Sequence, residues 1–118
     1  MIRKVLALLT VLAFPAQAQQ VNLGQGANLR ALDKLNGDVA DLEVGAGGFV
    51  EFGRLEIELG ECRYPAGNPS GDGYAYLTIR ERGKADPVFR GWMIASSPAL
   101  NAMDNARYDV WVMRCKTG

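Results

Sequence analysis

The sequence lacks several of the residues that chemistry usually requires. It contains no histidine, and its only cysteines are Cys62 and Cys115. Acid–base catalysis near neutral pH most often uses histidine, so we predict that the chain is not an enzyme and has no catalytic residue. Metal-binding and redox-active cysteines lie closer together and need further ligands, so we predict no metal and no cofactor. Lysine and arginine form no cluster, which argues against a nucleic-acid partner.

An apolar run long enough to cross a membrane is also missing. The run Val5–Phe14 covers ten residues, whereas a membrane-spanning helix needs about twenty. This run follows a short cationic stretch and precedes the small-residue triplet Ala16–Ala18, an order typical of an export signal. We therefore predict that residues 1–18 are a signal peptide cleaved near Ala18. The mature protein is expected to be periplasmic or secreted and to have no membrane span.

The residues after the signal predict one disulfide-linked domain. Removing residues 1–18 from the 118-residue chain leaves 100, which is enough for one domain with a modest core. Two cysteines in an oxidising compartment indicate a structural disulfide between Cys62 and Cys115. Closing the loop between them would stabilise the fold by roughly 4 kcal/mol, because it restricts the unfolded chain.

Polar and apolar residues alternate over most of the chain from Leu29 onwards, which predicts strands. Residues 19–28 show no such period, so we predict a flexible N-terminal segment there and a single β domain over residues 29–118. With about six to seven strands and one short helix, the expected fold class is all-β. A small antiparallel β-sandwich or a partly open barrel would satisfy this pattern.

Two residue pairs predict where strands are interrupted. Asn36-Gly37 is the dipeptide favoured in a tight, primed hairpin turn, so residues 29–44 are predicted to form one hairpin. Ser97 and Pro98 suit the N-cap and the first position of a short helix over Ala99–Met103. The alternative for these serines is a Ser–Lys catalytic pair, but the third residue after Ser97 is a leucine, so the lysine that such a pair needs is missing.

Strand parity predicts which side chains are buried near the two cysteines. Cys62 is out of step with the apolar residues of its own strand, so a bulge at Gly60 is expected to turn it inward. Trp111 and Met113 share the parity of Cys115, and the three are therefore expected to point into the core together. Asp33 and Asp109 interrupt apolar strands, and each is expected to form a structural ion pair or a turn hydrogen bond. The candidate partners are arginines such as Arg30, Arg107 and Arg114.

Several blocks of sequence resemble a known family. GWMIASSPAL and YDVWVMRC, together with LRALDKLNG and FGRLEIELGEC, resemble the DUF2155 family of uncharacterised exported bacterial proteins, from about Leu29 to Cys115. The resemblance supports the predicted fold and compartment, and it implies no chemistry. It also implies a His-Pro pair before the YDVW block, where this chain has Asn105 and Ala106. No role of that histidine can therefore be transferred to this chain.

Three aromatic residues near the C-terminus have two interpretations. Trp92, Tyr108 and Trp111 could pack in the core, or they could line a pocket that binds a small molecule. A closed cavity between the two tryptophans would favour the pocket. A flat, exposed face elsewhere on the domain would favour contact with another protein.

Tyr74, Tyr76 and Arg80 are the residues with the clearest pattern for a binding surface. Their parity is opposite to that of Leu77 and Ile79, so they are expected on the outward face of their strand. Tyrosine and arginine are enriched in the energetically dominant parts of protein interfaces. The leading hypothesis is therefore a non-enzymatic periplasmic β domain that contacts another envelope protein, as an accessory or assembly factor of an envelope complex. The alternative is a periplasmic small-molecule-binding protein with a Trp/Tyr-lined pocket.

Overall fold

The computed structural model describes residues 20–117, so the predicted signal peptide lies outside the described residues. Within residues 20–117 the chain forms eight β-strands and no helix. The strands are β1 Val21–Leu23, β2 Gly26–Asp33, β3 Val39–Gly45, β4 Phe49–Phe52, β5 Leu55–Pro65, β6 Tyr74–Glu81, β7 Phe89–Ile94 and β8 Tyr108–Lys116.

The strands form two antiparallel sheets that pack face to face and do not close into a barrel. One sheet has five strands: β5, β6 and β7 are consecutive neighbours, and β1 and β4 both pair with the other edge of β5. This is possible because β5 is 11 residues long, so β4 pairs with its first half and β1 with its end. The second sheet has the order β3-β2-β8. The predicted all-β, antiparallel fold is confirmed, and of the two expected shapes it has the sandwich. Residues 20–117 form eight strands where about six to seven were expected.

The core lies between the two sheets and is built mainly by alternation of side chains on the central strands. Leu55, Ile57 and Leu59 of β5 are wholly buried, and so are Leu77 and Ile79 of β6. Ile57 lies opposite Ile79 and Leu59 opposite Leu77, so each pair packs side by side on the inner face. The outward residues between them remain partly or fully exposed, with the exception of the largely buried Thr78. The predicted inward direction of Leu77 and Ile79 is confirmed.

A bulge in β5 turns Cys62 into the core, as the sequence predicts. Leu59 lies opposite Leu77 and Cys62 opposite Ala75, so three steps along β5 match two along β6. Gly60 lies within this irregularity. The extra residue changes the parity of the strand, and the Cys62 side chain becomes wholly buried.

A second bulge, in β8, places Trp111 and Met113 on the face opposite to the predicted one. The register passes from Asn28 opposite Arg114 to Leu29 opposite Val112, which leaves Met113 as the extra residue on β8. Cys115 therefore shares the inner face with Val112, whereas Met113 is 41% exposed and Trp111 is half-buried on the outer face. The expectation that these two side chains point into the core with Cys115 is wrong, because it assumed unbroken alternation along β8.

The predicted disulfide is confirmed and links the two sheets. Cys62 lies on β5 of the five-stranded sheet and Cys115 on β8 of the three-stranded sheet, with their Cα atoms 5.6 Å apart. Both side chains are buried. Because it joins residues that are 53 positions apart, the bond closes a long loop of chain across the core.

The predicted short helix over Ala99–Met103 is absent, and a turn takes its place. The Leu100 N–H donates to the Ser97 carbonyl at 3.0 Å. A five-residue helix would recover too few hydrogen bonds to offset the cost of its nucleation. The segment is held to the sheet instead, because the Asn101 side-chain amide donates to the Trp92 carbonyl at 2.8 Å.

The β2–β3 hairpin forms as predicted, but its turn differs. Asp33 N–H donates to the Asp38 carbonyl at 2.8 Å, so the connection is longer than two residues. A tight primed turn of type I′ needs positive φ at both central residues, and here Gly37 has a φ of 80° while Asn36 does not have positive φ. The Asn36 side chain instead accepts a hydrogen bond from the Asp38 N–H.

Residues 20–28 carry strand structure, where the sequence predicts a flexible lead-in over residues 19–28. Val21–Leu23 pairs with the end of β5, and β2 begins at Gly26. Main-chain bonds hold this segment, for example from Gly24 N–H to the Cys62 carbonyl at 2.7 Å. Backbone pairing of this kind needs no side-chain period, which explains why the sequence gives no signal for it.

Candidate binding surface

The outer face of the five-stranded sheet carries a group of aromatic and apolar side chains at one end. The cross-strand register aligns a first row on β1, β5, β6 and β7: Leu23, Arg63, Tyr74 and Ile94. In the adjoining row, Tyr76 of β6 lies directly opposite Trp92 of β7. We call these six residues the aromatic half of the face. The opposite end of the face carries mainly charged residues.

Contacts within the aromatic half hold its side chains in fixed positions. The rings of Tyr76 and Trp92 meet edge to face with 5.3 Å between their centroids. The Arg63 guanidinium lies 4.9 Å from the centre of the Trp92 ring, within the range of a cation–π interaction. Gly60 lies beneath Tyr76, since a Cβ added there would approach the tyrosine Cδ1 to 3.3 Å. The absence of a side chain at Gly60 thus leaves room for the Tyr76 ring.

A shallow hollow opens within the aromatic half. It has a volume of about 280 Å³, and its walls are Val21, Arg63, Tyr74, Trp92 and Ile94. Ligand sites for small molecules usually have about 300 to 1,000 Å³, so this hollow is at the lower limit of that range. Its size and largely apolar walls suit one side chain of another protein.

Arg80 lies at the charged end of the same face. Its guanidinium is 3.4 Å from the Glu58 carboxylate, and it also donates to the Ala85 carbonyl at 3.3 Å. Exposed ion pairs of this kind contribute little to folding stability, typically about 0 to 1 kcal/mol. Arg80 is thus on the predicted face, but on a different row from Tyr74 and Tyr76.

Tyr108 and Trp111 lie away from this face. Tyr108 is buried in the core, where its ring meets Phe52 edge to face and its hydroxyl accepts a hydrogen bond from Arg54 N–H at 3.1 Å. Trp111 lies on the outer face of the three-stranded sheet, beside a groove lined by Pro98 and neighbouring residues. The structure therefore brings Trp92 together with Tyr74 and Tyr76, and it separates Trp92 from Tyr108 and Trp111.

Sequence reasoning missed Arg63, Leu23 and Ile94 as members of the surface. The signal for Arg63 is present, because the predicted bulge at Gly60 reverses the parity of the residues that follow it. Leu23 gives no such signal, since it belongs to a three-residue strand without a period.

Comparison with known families assigns this chain to one of them. A model of the family described as "Uncharacterized protein conserved in bacteria (DUF2155)" matches residues 27–115, which run from β2 to the second cysteine of the disulfide. The chain belongs to the DUF2155 family. The resemblance inferred from its sequence blocks is therefore confirmed.

One curated relative of this DUF2155 chain is "Uncharacterized protein RP359" from Rickettsia prowazekii (strain Madrid E). The two are 30% identical over 88 residues, which make up 72% of this chain and 57% of the relative. The chain thus spans little more than half the length of that protein. No solved structure gives a significant match.

Ser96 and Asp72 of this DUF2155 domain form a structural contact. The Ser96 hydroxyl donates to the Asp72 carboxylate at 2.5 Å, and the same carboxylate accepts from Ser96 N–H and Gly73 N–H at 2.9 Å. These bonds tie the start of β6 to the end of β7.

Within residues 20–117, no three His, Cys, Asp or Glu side chains are grouped to hold a metal ion. No helix in that range is long and apolar enough to cross a membrane.

Asp33 forms the predicted ion pair, and its partner is Arg107. The arginine Nη2 lies 2.9 Å from Oδ2, and the aspartate side chain is only 6% exposed. Hydrogen bonds from Arg107 lower the pKa of Asp33, and a bond from Leu35 N–H acts in the same direction, while burial opposes them. The pair fastens the end of β2 to the residue before β8.

Acidification should therefore weaken the fold through Asp33. The pKa of Asp33 is lower in the folded state than in the unfolded state, where it is about 4. The ionised carboxylate therefore stabilises the fold fully at a pH above the unfolded-state pKa. This stabilisation is lost as the pH falls through the folded-state pKa. We expect the melting temperature of the wild type to fall steeply below about pH 4. The Asp33→Asn variant should melt at a lower temperature than the wild type at pH 6, and its melting temperature should change less with pH in acid. Thermal denaturation from pH 2.5 to 6 measures both.

The matched control is Asp41→Asn. Asp41 also pairs with an arginine, Arg30, but its side chain is 70% exposed. The Asp41→Asn substitution should change the pH dependence of the melting temperature much less than Asp33→Asn does, because solvent screens the exposed pair. Parallel pH curves for the wild type and Asp33→Asn would contradict the assignment.

Proposed function

We propose that this DUF2155 protein is a non-enzymatic periplasmic β domain that contacts another envelope protein, as an accessory or assembly factor of an envelope complex. The aromatic half is the proposed contact surface. The observation that carries this proposal is the grouping of Tyr74, Tyr76 and Trp92 with Arg63 on one sheet face.

The composition and rigidity of the aromatic half support a protein partner. Trp, Tyr and Arg dominate the binding energy of many protein interfaces. Rigid rings lose little conformational entropy on binding, and here Tyr76 and Trp92 already hold each other. At this surface, the hollow beside Trp92 has room for one side chain of a partner and is smaller than most small-molecule sites.

A periplasmic location is supported by two features of the chain. The N-terminal sequence has the order of an export signal, with a short apolar run followed by small residues. The disulfide between Cys62 and Cys115 is of the kind that persists in an oxidising compartment.

Affinity capture from intact envelopes, followed by mass spectrometry, tests the proposal. A protein tagged at its C-terminus should retain a partner, and the double variant Tyr74→Ala, Trp92→Ala should retain at least about tenfold less, since hot-spot truncations commonly exceed 1.4 kcal/mol. The intact mass of the recovered wild type should correspond to an N-terminus near Gln19.

A matched control lies on the opposite face of the domain. The double variant Trp111→Ala, Met113→Ala also removes an aromatic and an apolar side chain from an outer sheet face, and it should retain the partner. Circular dichroism must show that both double variants remain folded. If only the double variant Trp111→Ala, Met113→Ala lost the partner, the contact surface would be assigned to the three-stranded sheet. Equal retention by all three proteins would contradict the proposed surface.

A further inference from the structure

Strand β3 is an edge strand with an open outer side. It is seven residues long, and within residues 20–117 it pairs only with β2. The β7 edge is partly occupied, because the Asn101 side chain and the Ser97 N–H donate to its Trp92 and Ile94 carbonyls. Beside β8, the turn residues Pro98, Ala99 and Ala102 form a groove with Val110 and Trp111. The remaining edge strands, β1 and β4, have three and four residues. Long uncovered edges are places where another strand can add.

The hydrogen bonds at the two ends of the β2–β3 ladder show which groups of β3 face outward. Asp33 N–H bonds to the Asp38 carbonyl, and Ala46 N–H bonds to the Gln25 carbonyl. Bonded and non-bonded pairs alternate along an antiparallel ladder. The main-chain groups of four residues of β3 therefore point away from β2, namely Val39, Asp41, Glu43 and Gly45. The Gly45 carbonyl accepts from the Gly48 N–H at 2.9 Å, whereas within the described part of the chain no main-chain hydrogen bond reaches the outward groups of the other three residues.

The core is also open along this side of the sandwich. β3 and β4 are consecutive, and each is an edge of its own sheet. Leu42, Val50 and Phe52 lie opposite the buried residues of the neighbouring strands and so point inward, yet they are only partly buried. An additional strand beside β3 would cover these side chains with its own inward residues.

The charges on β3 distinguish between possible partners. Asp41 and Glu43 point outward and are 70% and 68% exposed, although each is paired with a cation of its own sheet. If two copies of β3 paired antiparallel about Leu42, Asp41 of each would lie opposite Glu43 of the other. Like charges directly opposite each other destabilise a strand pair, whereas basic residues at those positions would be favourable.

We propose that the β3 edge binds an extended segment of a partner protein, in which apolar residues alternate with lysine or arginine. The segment would add a fourth strand to the three-stranded sheet. Its apolar residues would cover Leu42, Val50 and Phe52, and its basic residues would lie opposite Asp41 and Glu43. This site is separate from the aromatic half and does not depend on the function proposed for it.

Two synthetic peptides serve as probes, both nine residues long. One alternates Ile with Lys and the other alternates Ile with Glu, and fluorescence anisotropy reports their binding to the mature protein. The Ile–Lys peptide should bind at least ten times more tightly. Asp41→Pro should weaken its binding at least tenfold, because proline removes an outward N–H without removing a bond to β2. The matched variant Asp41→Ala keeps that N–H and should lose threefold or less.

Hydrogen exchange of the wild type provides a second measurement that needs no variant. The Ile–Lys peptide should slow exchange of the Val39, Asp41 and Glu43 amides, and the variant Tyr74→Ala, Trp92→Ala should behave in the same way. The proposal is overturned by equal binding of the two peptides, by unchanged exchange at these amides, or by Asp41→Pro binding as well as Asp41→Ala. Dimerisation of the wild type that Asp41→Pro abolishes would instead assign the edge to a second copy.

Discussion

Replacing Cys62 and Cys115 together by alanine is expected to lower the free energy of unfolding by about 2 to 5 kcal/mol, the usual cost of losing a native disulfide in a small secreted domain. The bond joins β5 to β8 over a separation of 53 residues, so it restricts the unfolded chain strongly. Total stabilities of such domains are about 5 to 15 kcal/mol, and the loss is therefore a large fraction of the whole. Urea denaturation of the two proteins measures it.

The reduced wild type is the matched control for the double alanine variant. It lacks the same covalent link but keeps both sulfur atoms in the core, so its urea midpoint should lie close to that of the variant. Rapid alkylation of both cysteines in the native, oxidised protein would show that the bond is absent in solution. An unchanged midpoint after reduction would contradict its stabilising role.

Truncating Leu77 to alanine is expected to lower the free energy of unfolding by about 2 to 5 kcal/mol. Leu77 is wholly buried at the centre of the inner face, opposite Leu59 on one side and Gly91 on the other. The surrounding strands are joined by ladders on both sides, so the cavity left behind can close only partly. Chemical denaturation gives the free-energy difference directly.

Arg80→Ala on the same strand is the matched control. Arg80 points to the outer face, and its partner Glu58 is about half exposed. Its removal should cost about 0.5 kcal/mol or less, in line with other surface substitutions. Similar large losses for Leu77→Ala and Arg80→Ala would show that β6 is buried on both faces in solution, and the outer face could then not serve as a contact surface.

Local alternation was enough to predict most of the core. The inward direction of Leu77 and Ile79 follows from a period of two residues, which is a property of the strand itself. The bulge before Cys62 was also predictable, because the cysteine had to be buried and Gly60 offered a place to change parity. These features depend on neighbouring residues in the sequence.

Features that depend on distant parts of the chain were not predictable. The bulge at Met113 arises from the pairing of β8 with β2, and it reverses the side on which Trp111 lies. The pairing of Trp92 with Tyr76 depends on the register of β7 against β6, which no local pattern specifies. The candidate surface was therefore predicted in part: Tyr74, Tyr76 and Trp92 came from the sequence, and their association came from the register.

The pairing of β2 with β8 also determines how the domain would respond to a pulling force. Gly26 lies opposite Lys116, so both ends of the described chain leave this ladder at the same end. Tension on the two ends would open the hydrogen bonds one after another instead of loading them together. The covalent bond between Cys62 and Cys115 would then bear the load, with β6 and β7 inside the closed loop. A single molecule stretched in this way should lengthen only by the residues outside that loop.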